Sequence, residues 1–165
     1  MLAKIYFPRV VLPTAAVLAR FIDLCFSLAV LCIFILIYRV PIHWTALLAI
    51  PLLALELSFT LGMAYLFAAL NVLYRDMTQL VGLVLMIWLY LSPVMYSATT
   101  LSSSMQSALL MNPMGGILQA VRDLIFVGRV TDGPFLWAGA AWCLFVFVAG
   151  LAVFKRIEPL FAEVM

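Results

Sequence analysis

The polar side chains able to do chemistry lie at a few points along an otherwise apolar chain. The hexapeptide Asn71-Val72-Leu73-Tyr74-Arg75-Asp76 gathers an amide, a phenol, a guanidinium and a carboxylate. A guanidinium binds phosphate through two parallel hydrogen bonds, so Arg75 is a candidate anion site. Beside Asp76 it reads equally well as an anchor at a membrane surface. Glu56 is the one charge in the run from Trp44 to Leu70. An ionised group at that depth in a span costs roughly 2.5–3.5 kcal/mol on insertion scales. Glu56 must therefore be protonated, paired or wet. That makes it either part of a transport path or a helix-gluing group bonded to Ser or Thr. Arg20 and Asp23, three residues apart, can pair on one helical face.

Other chemistries find no residues. The chain has no GxxxxGK[ST] phosphate loop, no HExxH and no Cys/His cluster. His43 is the single histidine; in a short loop with no visible partner it reads as a solvated residue. Ser102, Ser103 and Ser104 lie near no candidate base. Cys25, Cys32 and Cys143 sit inside apolar runs and read as small packing residues. The sequence predicts no enzyme active site, no metal and no cofactor. A net charge of +2, scattered along the chain, does not suit nucleic acid.

The elements that position these residues follow from composition. Hydrophobic residues make up 68% of the 165 and charged residues 10%, too few charges to cover a water-facing surface. The expected fold is all-α, a polytopic membrane helix bundle. About 20 apolar residues span a bilayer, and four such runs are readable: 14–38, 44–70, 78–98 and 134–154. Arg39-Val40-Pro41 stops the first, because proline cannot continue a helix and restricts the residue before it. Pro51 and Ser92-Pro93 should kink the second and third. The stretch 101–132 has apolar pieces too short to cross. Ile117, Val121, Leu124 and Gly128 share one helical face, and Gln119, Arg122 and Asp123 fall mainly on another. That pattern predicts short helices dipping into the membrane from outside, a re-entrant element.

Lys and Arg placement orients the bundle. With four spans, Lys4, Arg9, Arg20, Arg75, Lys155 and Arg156 fall on the cytoplasmic side, and Arg39, Arg122 and Arg129 outside. Both termini are then cytoplasmic. Trp44 and Tyr96 mark the outer interface and Tyr74 the inner one. No small-residue cleavage site follows Lys4 and Arg9, so no cleaved signal is expected. The segment from Lys4 to Pro13 is basic and amphiphilic. It reads as a juxtamembrane anchor or as a docking element for a cytoplasmic partner.

Five motifs occur in a telling order. Lys4-Ile5-Tyr6-Phe7-Pro8-Arg9 through Pro13 resembles the cytoplasmic segment before the third span of ABC-type polysaccharide export permeases. Asn71 to Asp76 resembles that family's joint between its fourth and fifth spans. Leu91-Ser92-Pro93-Val94-Met95-Tyr96 is similar to the end of the fifth. Asn112-Pro113-Met114 with Arg122 resembles the outer re-entrant element, and Phe154 to Val164 the C-terminal tail. The sequence begins where the family's third span is about to start. It is expected to lack the first two, as a fragment, a shortened reading frame or a misplaced start would.

The resemblance implies a permease in the inner membrane that exports a glycan carried on undecaprenyl diphosphate. It implies a second permease copy as homodimer partner and a cytoplasmic ABC ATPase. Residues 1–13 become the coupling segment, with Lys4, Tyr6, Phe7, Pro8 and Arg9 docking on the ATPase. Asn71, Tyr74, Arg75 and Asp76 become the cytoplasmic channel mouth. Glu56, Ser92, Pro93, Tyr96, Asn112, Pro113 and Arg122 become candidates for the channel and the outer element, and 155–165 the cytoplasmic tail. Tyr65, Trp88 and Tyr90 can stack on sugars or simply pack. A permease for drugs or small lipophiles shares this architecture. A polyprenyl-phosphate enzyme or a non-transporting fragment remains an alternative reading.

Overall fold

A computed structural model describes residues 9–74, 76–92, 112–129 and 134–160. Lys4, Tyr6, Phe7, Pro8, Arg75, Pro93 and Tyr96 lie outside these residues, as does the tail after 160. Every described element is helical. Helix α1 runs Val11–Ile37, a 3-10 turn Trp44–Leu48 leads into α2 at Ala49–Leu73, and α3 runs Met77–Leu91. Helix α4 covers Pro113–Arg122 and passes into a π turn, Asp123–Val127; α5 runs Pro134–Ile157 and ends in a 3-10 turn, Glu158–Leu160. Among the described residues three helical stretches are long and apolar enough to cross a membrane: Val11–Ile37, Trp44–Leu73 and Leu136–Ile157. Helix α3, at 15 residues, rises about 22 Å.

The helix ends follow from local chemistry. After α1 the Arg39 N–H donates to Leu36 O and the Val40 N–H to Ile35 O, with Arg39 at φ 52°. This pair of bonds closes a helix through one left-handed residue, and Pro41 beyond it forbids continuation. Pro51 falls in the first turn of α2, just after the 3-10 turn. The change of helical pitch thus sits where the sequence predicts a kink. Ser92 is extended, at ψ 137°, as a residue before proline must be, and α3 stops there.

Helices α2 and α5 form the centre. Along α5 the buried positions are Gly139, Cys143, Val146, Gly150 and Phe154; along α2 they include Leu52, Phe59, Gly62, Tyr65 and Ala69. Both sets repeat at three- and four-residue spacing, one stripe per helix. The stripes meet at Gly62 and Gly150. A Cβ on Gly62 would lie 2.6 Å from the Phe147 backbone and from Val146 O. A Cβ on Gly150 would collide with the Gly62 carbonyl. Two backbones touch here because neither residue has a side chain, a way for helices to pack where lipid offers no hydrophobic drive.

Two apolar clusters flank this crossing. One gathers Tyr65, Ala69 and Phe154, with Val10, Val72 and Ile157 against them. The two ends of the described chain therefore share the Val72 end of the bundle. Tyr65 stacks at a tilt on Phe147 and Phe154. Its hydroxyl lies 2.8 Å from Thr14 Oγ1. Thr14 gives its own proton to Val10 O, so Tyr65 is the donor. Packing, not sugar stacking, occupies this ring. The other cluster joins Leu52 and Phe59 of α2, Cys143 and Val146 of α5, and Ile117, Ala120 and Leu124.

Gly62→Ala should lower stability by about 1–3 kcal/mol, the cost of overpacking against atoms that cannot move aside. Gly82→Ala, with open space around it, should not. Unfolding of both variants in mixed detergent micelles checks the contrast.

Candidate functional site

Helix α4 is a short helix held inside the bundle by polar bonds at both ends. At its start Asn112 is extended, with ψ 122°, and uses its whole carboxamide. Oδ1 accepts from the Met114 N–H at 3.2 Å, capping the helix, while Nδ2 donates to Ser92 Oγ at 3.1 Å. Ser92 is 4% exposed. It stands about 22 Å along α3 from Met77, short of the roughly 30 Å hydrocarbon thickness. Non-helical backbone at such depth is tolerated only when protein buries it and bonds its polar groups. The Ser92–Asn112 bond meets that condition.

From this junction α4 climbs toward the His43 end. Ile117, Ala120 and Leu124 are buried, Val121 and Met114 half-buried. Gln119 Nε2 donates to Asp123 Oδ1 at 3.0 Å along the opposite face. The last turn widens to π, and Gly128 N–H reaches Asp123 O at 2.8 Å. Widening leaves carbonyls near the helix end without intrahelical partners, and Thr45 Oγ1 donates to one of them, Leu124 O, at 2.7 Å. Gly128 sits at φ 72°, with the His43 ring where a Cβ would be. His43 is exposed by area, yet its ring is a packing surface for this turn. Arg122 ends α4, where a cation suits the helix dipole.

At the opposite end the joint between α2 and α3 is closed by Thr78 Oγ1 donating to Asn71 Oδ1 at 2.8 Å. The Met77 N–H donates to Tyr74 O at 3.2 Å. Asn71, Tyr74 and Asp76, three of the residues singled out in the sequence, are all exposed.

The remaining candidates lie between α1 and α2. Arg20 and Asp23 form the expected pair at 3.3 Å. Arg20 shares a cleft with Glu56. Glu56 is half-buried, and Thr60 Oγ1 donates to its backbone carbonyl rather than its carboxylate. Trp88 packs at a tilt on Phe59. The structure thus brings Ser92 to Asn112 and Arg20 to Glu56, and it keeps the Asn71 joint apart from both. Sequence reasoning missed the Gly62–Gly150 contact and the seats of His43 and Thr45. Lone glycines inside long apolar runs were the available signal for the first.

This arrangement defines an integral membrane helix bundle with a short helix packed inside it. The family model described as ABC-2 type transporter matches residues 1–126. The chain belongs to that family. It is similar to the O-antigen export system permease protein RfbA of Myxococcus xanthus, 28% identical over 165 residues, 99% of this chain and 64% of the relative. A protein of the same name from Klebsiella pneumoniae is 25% identical over 166 residues, 100% of this chain and 64% of the relative. The chain therefore spans just under two thirds of the length of these curated relatives.

Asn112→Ala should cost about 1–2 kcal/mol, by loss of a helix cap and of a buried partner. Asn112→Ser keeps a capping oxygen but loses the carboxamide donor to Ser92, and should cost less. A cycle of Asn112→Ala with Ser92→Ala, read by unfolding in detergent, should show coupling between the two.

Proposed function

We propose that this chain is the membrane permease part of an exporter that carries lipid-linked polysaccharide across the inner membrane, driven by a separate ATPase subunit. The observation that carries this reading is the match of nearly the whole chain to O-antigen export system permeases of two organisms. The cargo is a glycan on undecaprenyl diphosphate, and two permease copies enclose its path. Positive charge supports the orientation. Arg9 adjoins Val10, and Lys155 and Arg156 adjoin Phe154 and Ile157, at the Val72 end; Arg39 and Arg129 adjoin the opposite turns. The cytoplasmic side, which holds the excess of Lys and Arg, is then the Val72 end.

In this orientation the basic segment at Lys4, Tyr6, Phe7, Pro8 and Arg9 docks on the ATPase and passes its motion to α1. Asn71, Tyr74, Arg75 and Asp76 form the cytoplasmic lip of the path, with Arg75 drawing the diphosphate through its forked donors. The α4 limb, pinned between Ser92 and His43, forms part of the outer closure.

The two roles separate in one experiment. Arg9→Glu should reduce both the ATPase that co-purifies with the tagged chain and the glycan at the cell surface. Arg75→Ala should reduce surface glycan while ATPase recovery stays unchanged. Normal surface glycan with Arg75→Ala removes that residue from the mechanism, and undiminished ATPase recovery with Arg9→Glu removes the docking role.

A further inference from the structure

We infer that Arg20 is a shared cation whose passage from Asp23 to Glu56 closes α1 onto α2. Helix α1 meets the bundle along one stripe. Val17, beside the Thr14–Tyr65 bond, and Ile35 are its buried residues. Between these residues α1 and α2 part around a cleft of about 210 Å³, with Leu24 and Leu53 in its walls and Arg20, Glu56 and Thr60 as its polar lining. Thr14, Phe21 and Leu28 are half-buried along the same side of α1, and most of its other positions are exposed.

The charges are unevenly matched. Arg20 Nη1 reaches Asp23 Oδ2 at 3.3 Å, longer than the 2.7–2.9 Å usual for a charged donor and acceptor. Both side chains are largely exposed. Across the cleft, among the described residues, the Glu56 carboxylate has no hydrogen bond and no ion pair. Neither nearby hydroxyl serves it: Ser58 gives its proton to Leu55 O and Thr60 to the Glu56 carbonyl. One guanidinium with five donors thus stands between a carboxylate on its own helix and an unpartnered carboxylate on the next. An unpaired carboxylate in low-dielectric surroundings is the less favourable arrangement. Transfer of Arg20 to Glu56 pairs it, and the pull on the long side chain brings Leu24 toward Leu53. Asp23 is the positioning residue that holds Arg20 on its own helix and keeps the cleft open. This device does not depend on the exporter reading.

Disulfide trapping tests it. Leu24→Cys and Leu53→Cys are introduced with Cys25, Cys32 and Cys143 replaced by Ala, and the rate of cross-linking by a mild oxidant is followed in membranes. Asp23→Asn should raise that rate about two- to fivefold, the factor a partly exposed ion pair contributes to an equilibrium. Adding Glu56→Gln should return it to the parent value. The exchanged pair Arg20→Glu with Glu56→Arg, which keeps a cation facing two acids, should also cross-link faster than the parent. An unchanged or slower rate with Asp23→Asn, a gain that survives Glu56→Gln, or no gain in the exchanged pair would overturn the inference.

Discussion

The backbone contact between Gly62 and Gly150 is the constraint on which the rest of the bundle depends. In lipid, apolar side chains gain little by leaving one apolar neighbour for another, so helices must associate by close packing and by polar bonds. The crossing lets α2 and α5 approach until the Gly62 carbonyl meets the Gly150 position. It fixes the distance between the two helices and, through that, the seats on both sides. Towards Val72, Tyr65 fits between Phe147 and Phe154 and finds Thr14. Towards His43, Phe59, Cys143 and Val146 leave a trough that Ile117, Ala120 and Leu124 fill.

The trough explains why a short helix can live inside the bundle. Helix α4 is too short to cross, so its ends carry groups that the helix itself cannot satisfy. Each end instead meets a side chain from another element: Asn112 and Ser92 below, Thr45 and His43 above. These bonds also tie α3 and the 3-10 turn to α4. By contrast α1 meets the bundle along a single stripe that includes Val17, Phe21, Leu28 and Ile35, and leaves a cleft beside it.

Much of this was legible in the sequence, for physical reasons. Long uncharged runs can only be membrane helices, and Pro41 stops the first where steric rules require; at Ser92-Pro93 a kink was expected within a span over 78–98, and α3 instead ends at Leu91, because the residue before a proline is pushed out of the helical region. The apolar positions of α4 were readable by spacing at Ile117 and Leu124. Ala120 is buried more completely than Val121 because the facing trough, invisible from one chain segment, decides which side goes in. The Arg20–Asp23 pair follows from spacing alone. The Gly62–Gly150 contact does not, since α2 carries a single glycine and nothing local says which of the two glycines of α5 it meets. The Asn112–Ser92 and Thr45–Leu124 bonds join residues 20 and 79 positions apart, and nothing local announces such partners. The joint at Asn71 to Asp76 was readable as a turn between spans, and Thr78 supplies its unforeseen clasp.

The central claim is that both ends of the described chain lie at the Val72 end of the bundle and the His43 turn lies at the other. Single cysteines at Arg39 and at Lys155, both exposed positions, test this in a background without the native cysteines. A membrane-impermeant thiol reagent applied to sealed membranes of one orientation should label one of the two and reach the second only after permeabilisation. Labelling of both positions from the same side would contradict the arrangement.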